Sequence, residues 1–171
     1  MNGIVGFIIR TGPILHASLF RSASPAARRD AFLVGEETMD VIPETHKDLL
    51  QTDVAALATI GASGYPQVTA LWFLYDDDGL VKLSLNTARQ KTKNLQARPE
   101  CTLFILDRKD PRRTLEIRAR AEIAPDDDYA FADRLGKKYG ADLRGMDRPG
   151  ESRVSVTLRP VRIRAIDLGR R

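Results

Sequence analysis

Hydrophobic and polar residues alternate along most of the chain after residue 39, with a period of two that is typical of β-strands with one buried face. In the segment 80–86, for example, Val81, Leu83 and Leu85 fall on one face. The strands predicted in this way are 54–60, 66–75, 80–86, 101–106, 114–123, 153–158 and 161–167. Turn-forming residues after positions 60 and 75 predict that the first strands form an antiparallel meander.

Other segments have the signals of helices. The predicted helices are 43–50, 87–98 and 125–139. In the second, Thr87 is placed to cap the start and Pro99 ends the helix. The third carries acidic residues 126–128 in its predicted first turn and ends before Gly140. Both features are favoured by the helix dipole and by C-terminal capping, which supports this third helix.

Seven short strands and few helices in about 130 residues predict a mainly β protein, an antiparallel barrel with capping helices. We expect a closed barrel because an open sheet leaves edge strands unpaired. Residues 1–38 show no comparable periodicity. We interpret them as a poorly ordered extension or a start codon assigned too far upstream, with the folded domain in 39–171.

The composition excludes several classes of protein. One Cys cannot form an internal disulfide, and one Cys with two His leaves too few ligands for a Cys/His zinc site, so we expect no metal. No apolar run approaches the roughly 20 residues that span a bilayer, so we predict a cytoplasmic protein without a membrane partner. The net charge is +4, but 23 acidic residues are interleaved with 27 basic ones and only 6% of residues are aromatic, which disfavours nucleic acid.

The predicted helix 87–98 carries the clearest chemical signal. It contains no acidic residue, and Arg89, Lys91 and Lys93 lie near its positive N-terminus, against the usual dipole preference. Free backbone N–H groups, the helix dipole and cationic side chains together suit a phosphate or carboxylate. We therefore predict an anion site where the strand 80–86 meets this helix. The alternative is a basic helix whose charges face water.

Polar side chains on neighbouring strands extend this predicted site. Gln67, Thr69, Ser84 and Asn86 occupy alternating positions from which they could hydrogen-bond a flat heterocycle. The alternative is an ordinary polar strand face. Trp72 is expected in the core rather than beside a cofactor.

Motifs for catalysis by protein side chains are missing from the sequence. There is no P-loop, no G-x-G-x-x-G after a strand and no Ser/His/Asp set. Cys101 lacks the partners of a catalytic thiol, and we expect it in the core. If the protein is an enzyme, we expect no catalytic residue of its own, and a bound cofactor would carry out the chemistry.

The segment 41–167 resembles a known family. The similarity lies in the run LATIGASGYPQVTALWFLYDDDGLVKLSLNTARQKTKNLQARPECTLFILD and in LEIRARAEI and DDDYAFADRLGKKYG. These stretches resemble the flavin/deazaflavin oxidoreductase B group, the PPOX-class F(420)-dependent oxidoreductases, of the pyridoxamine 5'-phosphate oxidase-like superfamily. The most specific element is the pattern N-T-x-R-x-K-x-x-N-L from Asn86 to Leu95.

The resemblance implies an FMN-binding split β-barrel that forms a homodimer and holds its cofactor in a groove between the subunits. Basic residues at the strand–helix junction would hold the cofactor phosphate, and the strand containing P-Q-V-T-A would line the ring system. The cofactor-binding residues implied in this way are Gln67, Val68, Thr69, Ala70, Asn86, Thr87, Arg89, Lys91, Lys93 and Asn94.

The resemblance also implies an activity. The Ser-Arg-Lys phosphate motif of pyridoxamine phosphate oxidases proper is absent, and the form TxRxKTKNL looks more like members that use the deazaflavin coenzyme F(420). The expected function is hydride transfer from F(420) to a small unsaturated or conjugated substrate. The alternatives are an FMN-dependent oxidoreductase and a non-catalytic flavin or deazaflavin carrier. A barrel that binds single-stranded nucleic acid is disfavoured because stacking aromatic residues are not interleaved with the basic ones.

Overall fold

Seven strands form one sheet in the computed structural model, which describes residues 41–169. The strands are β1 (Ala55–Ile60), β2 (Pro66–Leu71), β3 (Leu74–Tyr75), β4 (Val81–Asn86), β5 (Glu100–Leu106), β6 (Arg113–Pro125) and β7 (Arg153–Asp167). The helices are a 3₁₀ helix (Glu44–Gln51), α1 (Gln90–Ala97) and α2 (Ala130–Tyr139). The extension predicted over 1–38 lies outside the described residues.

The strand order is β2-β1-β5-β6-β7-β4-β3, and every pair is antiparallel. The two edge strands, β2 and β3, are consecutive in the chain and are separated only by Trp72 and Phe73. The sheet must therefore curl until its edges approach each other at this point. The mainly β split-barrel class is confirmed, whereas the prediction of a closed barrel is wrong, because no ladder joins β2 to β3 within residues 41–169.

The predicted strand 66–75 is broken in the middle. Its first part pairs with β1 and its last two residues pair with β4, so both predicted antiparallel pairings form, but the break places them at opposite edges of the sheet. Phe73, between the two parts, is fully buried. Burial of this large ring stabilises the break, because the chain has to leave the sheet edge to place Phe73 in the core.

The strands predicted over 153–158 and 161–167 are one continuous strand, β7. Pro160 pairs with Ala119 while Arg162 pairs with Arg118, so Val161 is the extra residue of a β-bulge. A bulge tolerates proline because the local ladder is already interrupted and needs no N–H donor there.

Alternate residues of the strands fill the barrel with apolar side chains. The fully buried ones include Leu57, Leu83, Leu103, Ile105, Leu115, Ile117 and Leu158. Cys101 is buried among them, as predicted, and burial followed by the nearby Glu100 charge raises the pKa of its thiol to about 11. A thiol of this kind stays protonated at neutral pH, in keeping with a core residue rather than a nucleophile.

Both α-helices start later than predicted. Thr87 does not cap α1, because its Oγ1 donates to the carbonyl oxygen of Ser152 at 3.1 Å. Pro125 ends β6, and α2 begins only at Ala130. Gly140 ends α2 in the left-handed conformation, as predicted. No helix in the described part of the chain has the length and hydrophobicity needed to cross a membrane.

Candidate functional site

A cavity of about 520 Å³ lies where β2, the end of β4, the start of α1 and the segment from α2 to β7 come together. Its polar lining residues are Gln67, Ser84, Asn86, Arg89, Gln90, Lys91 and Arg153. Its apolar lining residues are Ala70, Leu71, Trp72, Leu85, Leu135, Leu143 and Met146. This lining suits a ligand that combines a charged group with a flat apolar body.

Two cations in the cavity wall have side chains without a salt-bridge partner among the described residues. The side chains of Arg89 and Lys91 form no hydrogen bond or salt bridge there, although the charge of Arg89 interacts with nearby Glu151. Burial and the neighbouring Arg89 charge lower the pKa of Lys91 below its ordinary value of 10.5. Both lie at the N-terminus of α1, where the dipole and free N–H groups add to the positive field. The arrangement is suited to an anionic group such as a phosphate.

Asn94 fixes α1 against the first two strands. Its Nδ2 donates to Thr59 Oγ1 and to Gln67 Oε1, each at 3.0 Å, and its Oδ1 accepts from Gln90 Nε2 at 2.8 Å. The side-chain oxygen of Gln67 is therefore occupied, and its amide N–H groups remain for a ligand in the cavity. Asn94 does not line the cavity but orients a residue that does.

The side chain of Asn86 is engaged by the protein on both sides. Its Oδ1 accepts from the Ala88 N–H at 2.8 Å. Its Nδ2 donates to Asp147 Oδ1 at 2.7 Å and to Glu151 Oε2 at 2.8 Å. Both amide hydrogens are thus used within the fold, although the residue borders the cavity.

A buried ion pair closes this part of the wall. Arg153 Nε lies 2.6 Å from Asp147 Oδ2, and their side chains are 8% and 5% exposed. Tyr129 donates its hydroxyl hydrogen to the same carboxylate at 3.2 Å, and Arg153 Nη1 lies 3.3 Å from Ser84 Oγ. Sequence reasoning missed this pair, because the loop that contains Asp147 has no periodicity. The residues of β4 that the pair contacts, Asn86 and Ser84, are more than 60 positions away in the chain.

The aromatic residues beside the cavity form a stack. The rings of Trp72 and Tyr139 lie 4.6 Å apart and nearly parallel, at 5°. Trp72 is half-buried and borders the cavity, so the prediction that it belongs to the barrel core is wrong. The break between β2 and β3 places it outside the barrel interior, against α2.

The predicted cofactor-binding residues separate into two groups. Those that line the cavity are Gln67, Ala70, Asn86, Arg89 and Lys91. Those that do not are Val68, Thr69, Thr87, Lys93 and Asn94. Thr69 lies between Gln67 and Leu71 on one face of β2, and its buried hydroxyl oxygen has no hydrogen-bond partner. Lys93 is exposed, and Val68 is 63% exposed.

The family model of pyridoxamine 5'-phosphate oxidase matches residues 42–167. The structure of an F(420) reductase is 33% identical with a TM-score of 0.63, and the match covers 71% of this chain and 98% of that chain. A conserved hypothetical protein from Mycobacterium tuberculosis is 26% identical with a TM-score of 0.58, and the match covers 74% of this chain and 86% of that chain. A heme binding protein from Mycobacterium smegmatis shares the fold alone. It is 21% identical with a TM-score of 0.59, and the match covers 76% of this chain and 57% of that chain. No curated protein sequence matches significantly.

Proposed function

The chain belongs to the pyridoxamine 5'-phosphate oxidase family, and from this premise we propose that it is an oxidoreductase that uses coenzyme F(420) to transfer hydride to a small unsaturated or conjugated substrate. The observation that carries the proposal is the pair of cations, Arg89 and Lys91, in the wall of the cavity, whose side chains form no salt bridge with any of the described residues.

The residues of the cavity fit a cofactor of this kind. Arg89 and Lys91 would hold its phosphate through charge-assisted hydrogen bonds. The free amide N–H groups of Gln67 would hydrogen-bond the ring system along β2. A bound deazaflavin supplies the hydride, so the chain's own task is to bind and orient the cofactor, and no protein nucleophile is required.

Two observations favour F(420) over FMN. The first is the F(420) reductase among the similar structures. The second is a smaller cavity of about 250 Å³, which shares Arg89 and Met146 with the main one and is also lined by Arg148 and Glu151, so that two cations there face one carboxylate. F(420) carries an anionic tail beyond its phosphate, and Arg148 offers positive charge there. Lys93 and the basic segment 108–113 line neither cavity.

FMN is the second candidate, because it shares the tricyclic ring and the phosphate with F(420). The cations of α1 and the edge strand β2 would serve either cofactor equally well. A third possibility is a carrier that binds flavin or deazaflavin without turnover.

The outer face of the sheet supports a homodimer. Val68 on β2 pairs with Ala58 on β1, and Ala56 pairs with Phe104 on β5, so these side chains share one face. Val68, Phe104 and Leu106 are 63%, 38% and 43% exposed. A contiguous exposed apolar patch is typical of an interface, and two copies related by a twofold axis would bury it on both. Sedimentation showing a monomer at micromolar concentration with cofactor bound would contradict the dimer.

Titration with F(420) and FMN tests the proposal. Trp72 is the only tryptophan in the chain and borders the cavity, so its fluorescence reports binding at this site. We expect F(420) to bind more tightly than FMN and the reduced cofactor to reduce enones or quinones. Tighter FMN binding, or a yellow protein on purification, would favour the FMN-dependent alternative. Binding without turnover would favour the carrier, and binding of neither would refute the proposal.

A further inference from the structure

We propose that Asp147 and Glu151, two carboxylates of the loop between α2 and β7, are positioning residues that act through Asn86 to hold the cationic end of α1 in its binding geometry. The inference rests on the proposed function, since it assumes that Arg89 and Lys91 bind the phosphate. Neither carboxylate would touch that phosphate. Their effect would be transmitted by one amide side chain.

The turn from β4 into α1 is built on Asn86. Its side-chain oxygen accepts from the Ala88 N–H at 2.8 Å, and its main-chain oxygen accepts from the Arg89 N–H at 3.1 Å. The same main-chain oxygen accepts from Thr92 Oγ1 at 2.8 Å, inside the first turn of α1. The positions of Arg89 and of the first helical N–H groups therefore depend on this residue.

The two carboxylates determine which way the Asn86 amide faces. An ionised carboxylate accepts hydrogen bonds but does not donate them, so Asp147 and Glu151 can be matched only by the amide nitrogen. With Nδ2 directed at them, Oδ1 is left to bind the Ala88 N–H. Without them, nothing else on the Nδ2 side holds the amide in this orientation.

Asp147 is kept ionised in a buried setting. Burial acts against its charge, but hydrogen bonds from Arg153 and Asn86 outweigh burial and lower the pKa of the carboxyl. A buried ion pair is costly to desolvate and adds little net stability compared with apolar side chains of the same size. The contribution of this ion pair is geometric, because it fixes the carboxylate of Asp147 against Asn86, which lies 61 residues away in sequence.

The variants Glu151→Ala and Asp147→Asn test the proposal. Their affinities are measured for FMN and for riboflavin, two ligands that differ only in the phosphate. FMN is a suitable probe because it lacks the anionic tail that Glu151 could repel. Loss of the Glu151 charge beside Arg89 would by itself strengthen phosphate binding, so a weaker affinity for FMN reports positioning rather than charge. We expect Glu151→Ala to weaken FMN binding by about three- to tenfold, the effect of one hydrogen bond, and Asp147→Asn to weaken it by about tenfold or more. Riboflavin, which lacks the phosphate, should bind equally well to both variants and to the wild type.

A double-mutant cycle tests whether the effect passes through Asn86. In an Asn86→Ala background, Glu151→Ala should cause no further loss of FMN affinity. Asp133→Ala is the matched control, because it removes the salt bridge from Arg144 of the same loop without touching Asn86. This control should bind FMN like the wild type. Glu151 is half-buried and has no part in the Arg153 ion pair, so its variant tests the proposal even where Asp147→Asn fails to fold.

The outcomes separate this inference from the function on which it rests. Unchanged FMN affinity in the folded variants would overturn it, and so would an equal loss for riboflavin, which would indicate a general structural role. The wild type provides the test of the phosphate site. If it binds FMN no better than riboflavin, and F(420) no better than the phosphate-free deazariboflavin, both the phosphate site and the inference are overturned. If F(420) binds more tightly than its phosphate-free form but FMN and riboflavin bind equally, the same variants are measured with F(420) and its phosphate-free form.

Discussion

Helix α2 follows the charge preferences of an isolated helix, whereas α1 violates them. In α2 an acidic residue, Asp133, lies in the first turn, Lys137 and Lys138 lie in the last, and Arg134 is bonded to Asp76. In α1 the first turn has no acidic residue and no side-chain cap, and two cations lie there whose side chains form no hydrogen bond or salt bridge within residues 41–169.

The difference separates charges that stabilise the fold from charges that remain for a ligand. The carboxylates of Asp126, Asp128 and Asp133 around α2 are matched by cations or N–H groups of the protein itself. In the free protein, burial and then the charge of Arg89 lower the pKa of Lys91, so the charged amine is disfavoured without a ligand. A local conflict with the rules of helix stability is most easily explained when a ligand relieves it.

The largest effect is expected when the cations of α1 are removed. Arg89→Ala with Lys91→Ala should weaken binding of a phosphate-bearing cofactor by well over tenfold, since each charge-assisted bond contributes about 1.5 to 3 kcal/mol. The melting temperature should not fall, because neither side chain has an intramolecular partner to lose. Fluorescence titration and thermal unfolding measure the two quantities.

Lys137→Ala provides the matched control for that double variant. It removes an exposed cation from α2, far along the chain from the phosphate site, and should leave cofactor affinity unchanged. Equal affinity of the double variant and the wild type would place the anion site elsewhere. A large loss of stability would mean that the two cations also support the fold.

The second effect is a pH dependence of binding. The pKa of Lys91 is lowered in the free protein, so its charge is lost at a lower pH than that of an ordinary lysine. Affinity for the phosphate should therefore fall by about tenfold as pH rises through that pKa, with the loss of one charge-assisted bond. Lys91→Arg should retain its affinity over the same range, because arginine remains protonated. A wild-type affinity independent of pH up to 10.5 would contradict a role for this amine.

The third effect concerns the stability of α2. Asp126 is buried and accepts from the N–H groups of Phe131 and Ala132, each at 2.9 Å, so it caps the helix. Asp126→Ala should lower the free energy of unfolding by about 1 to 2 kcal/mol. Asp127→Ala, at the exposed neighbouring position, should have almost no effect in the same denaturant titration. Equal stability of the two variants would show that the cap is unimportant.

Alternation predicted those strands that have one buried and one exposed face. In β4, Val81, Leu83 and Leu85 are buried as expected. It failed where both faces are apolar, because the run 70–75 gives no signal for the break that buries Phe73. It failed again at Pro160, where a bulge, which depends on the partner strand, lets one strand continue.

The candidate site was predicted as far as it depends on local sequence. The missing acids and clustered bases of α1 indicated Arg89 and Lys91, which line the cavity. Asp147 and Arg153 could not be found in this way, because the contact of Asp147 with Asn86 joins residues 61 positions apart. A loop without periodicity gives no sign of which strand it packs against.

The smallest effect tests whether the charges around α2 serve the fold. Hydrogen bonds from Lys82 and then Arg134 lower the pKa of Asp76 from 3.8 to about 2. A carboxyl group whose pKa is lowered by folding stabilises the protein above its unfolded pKa, and this contribution is lost as pH falls through the folded pKa. Asp76→Asn should therefore be less stable by about 1 kcal/mol at neutral pH, because Arg134 is partly exposed and the pair is screened by solvent. The difference from the wild type should shrink between pH 4 and pH 2, while cofactor affinity at neutral pH stays unchanged. Urea titrations at several pH values measure the first quantity, and a difference in stability that persists at pH 2 would show that the Asp76 charge is not its source.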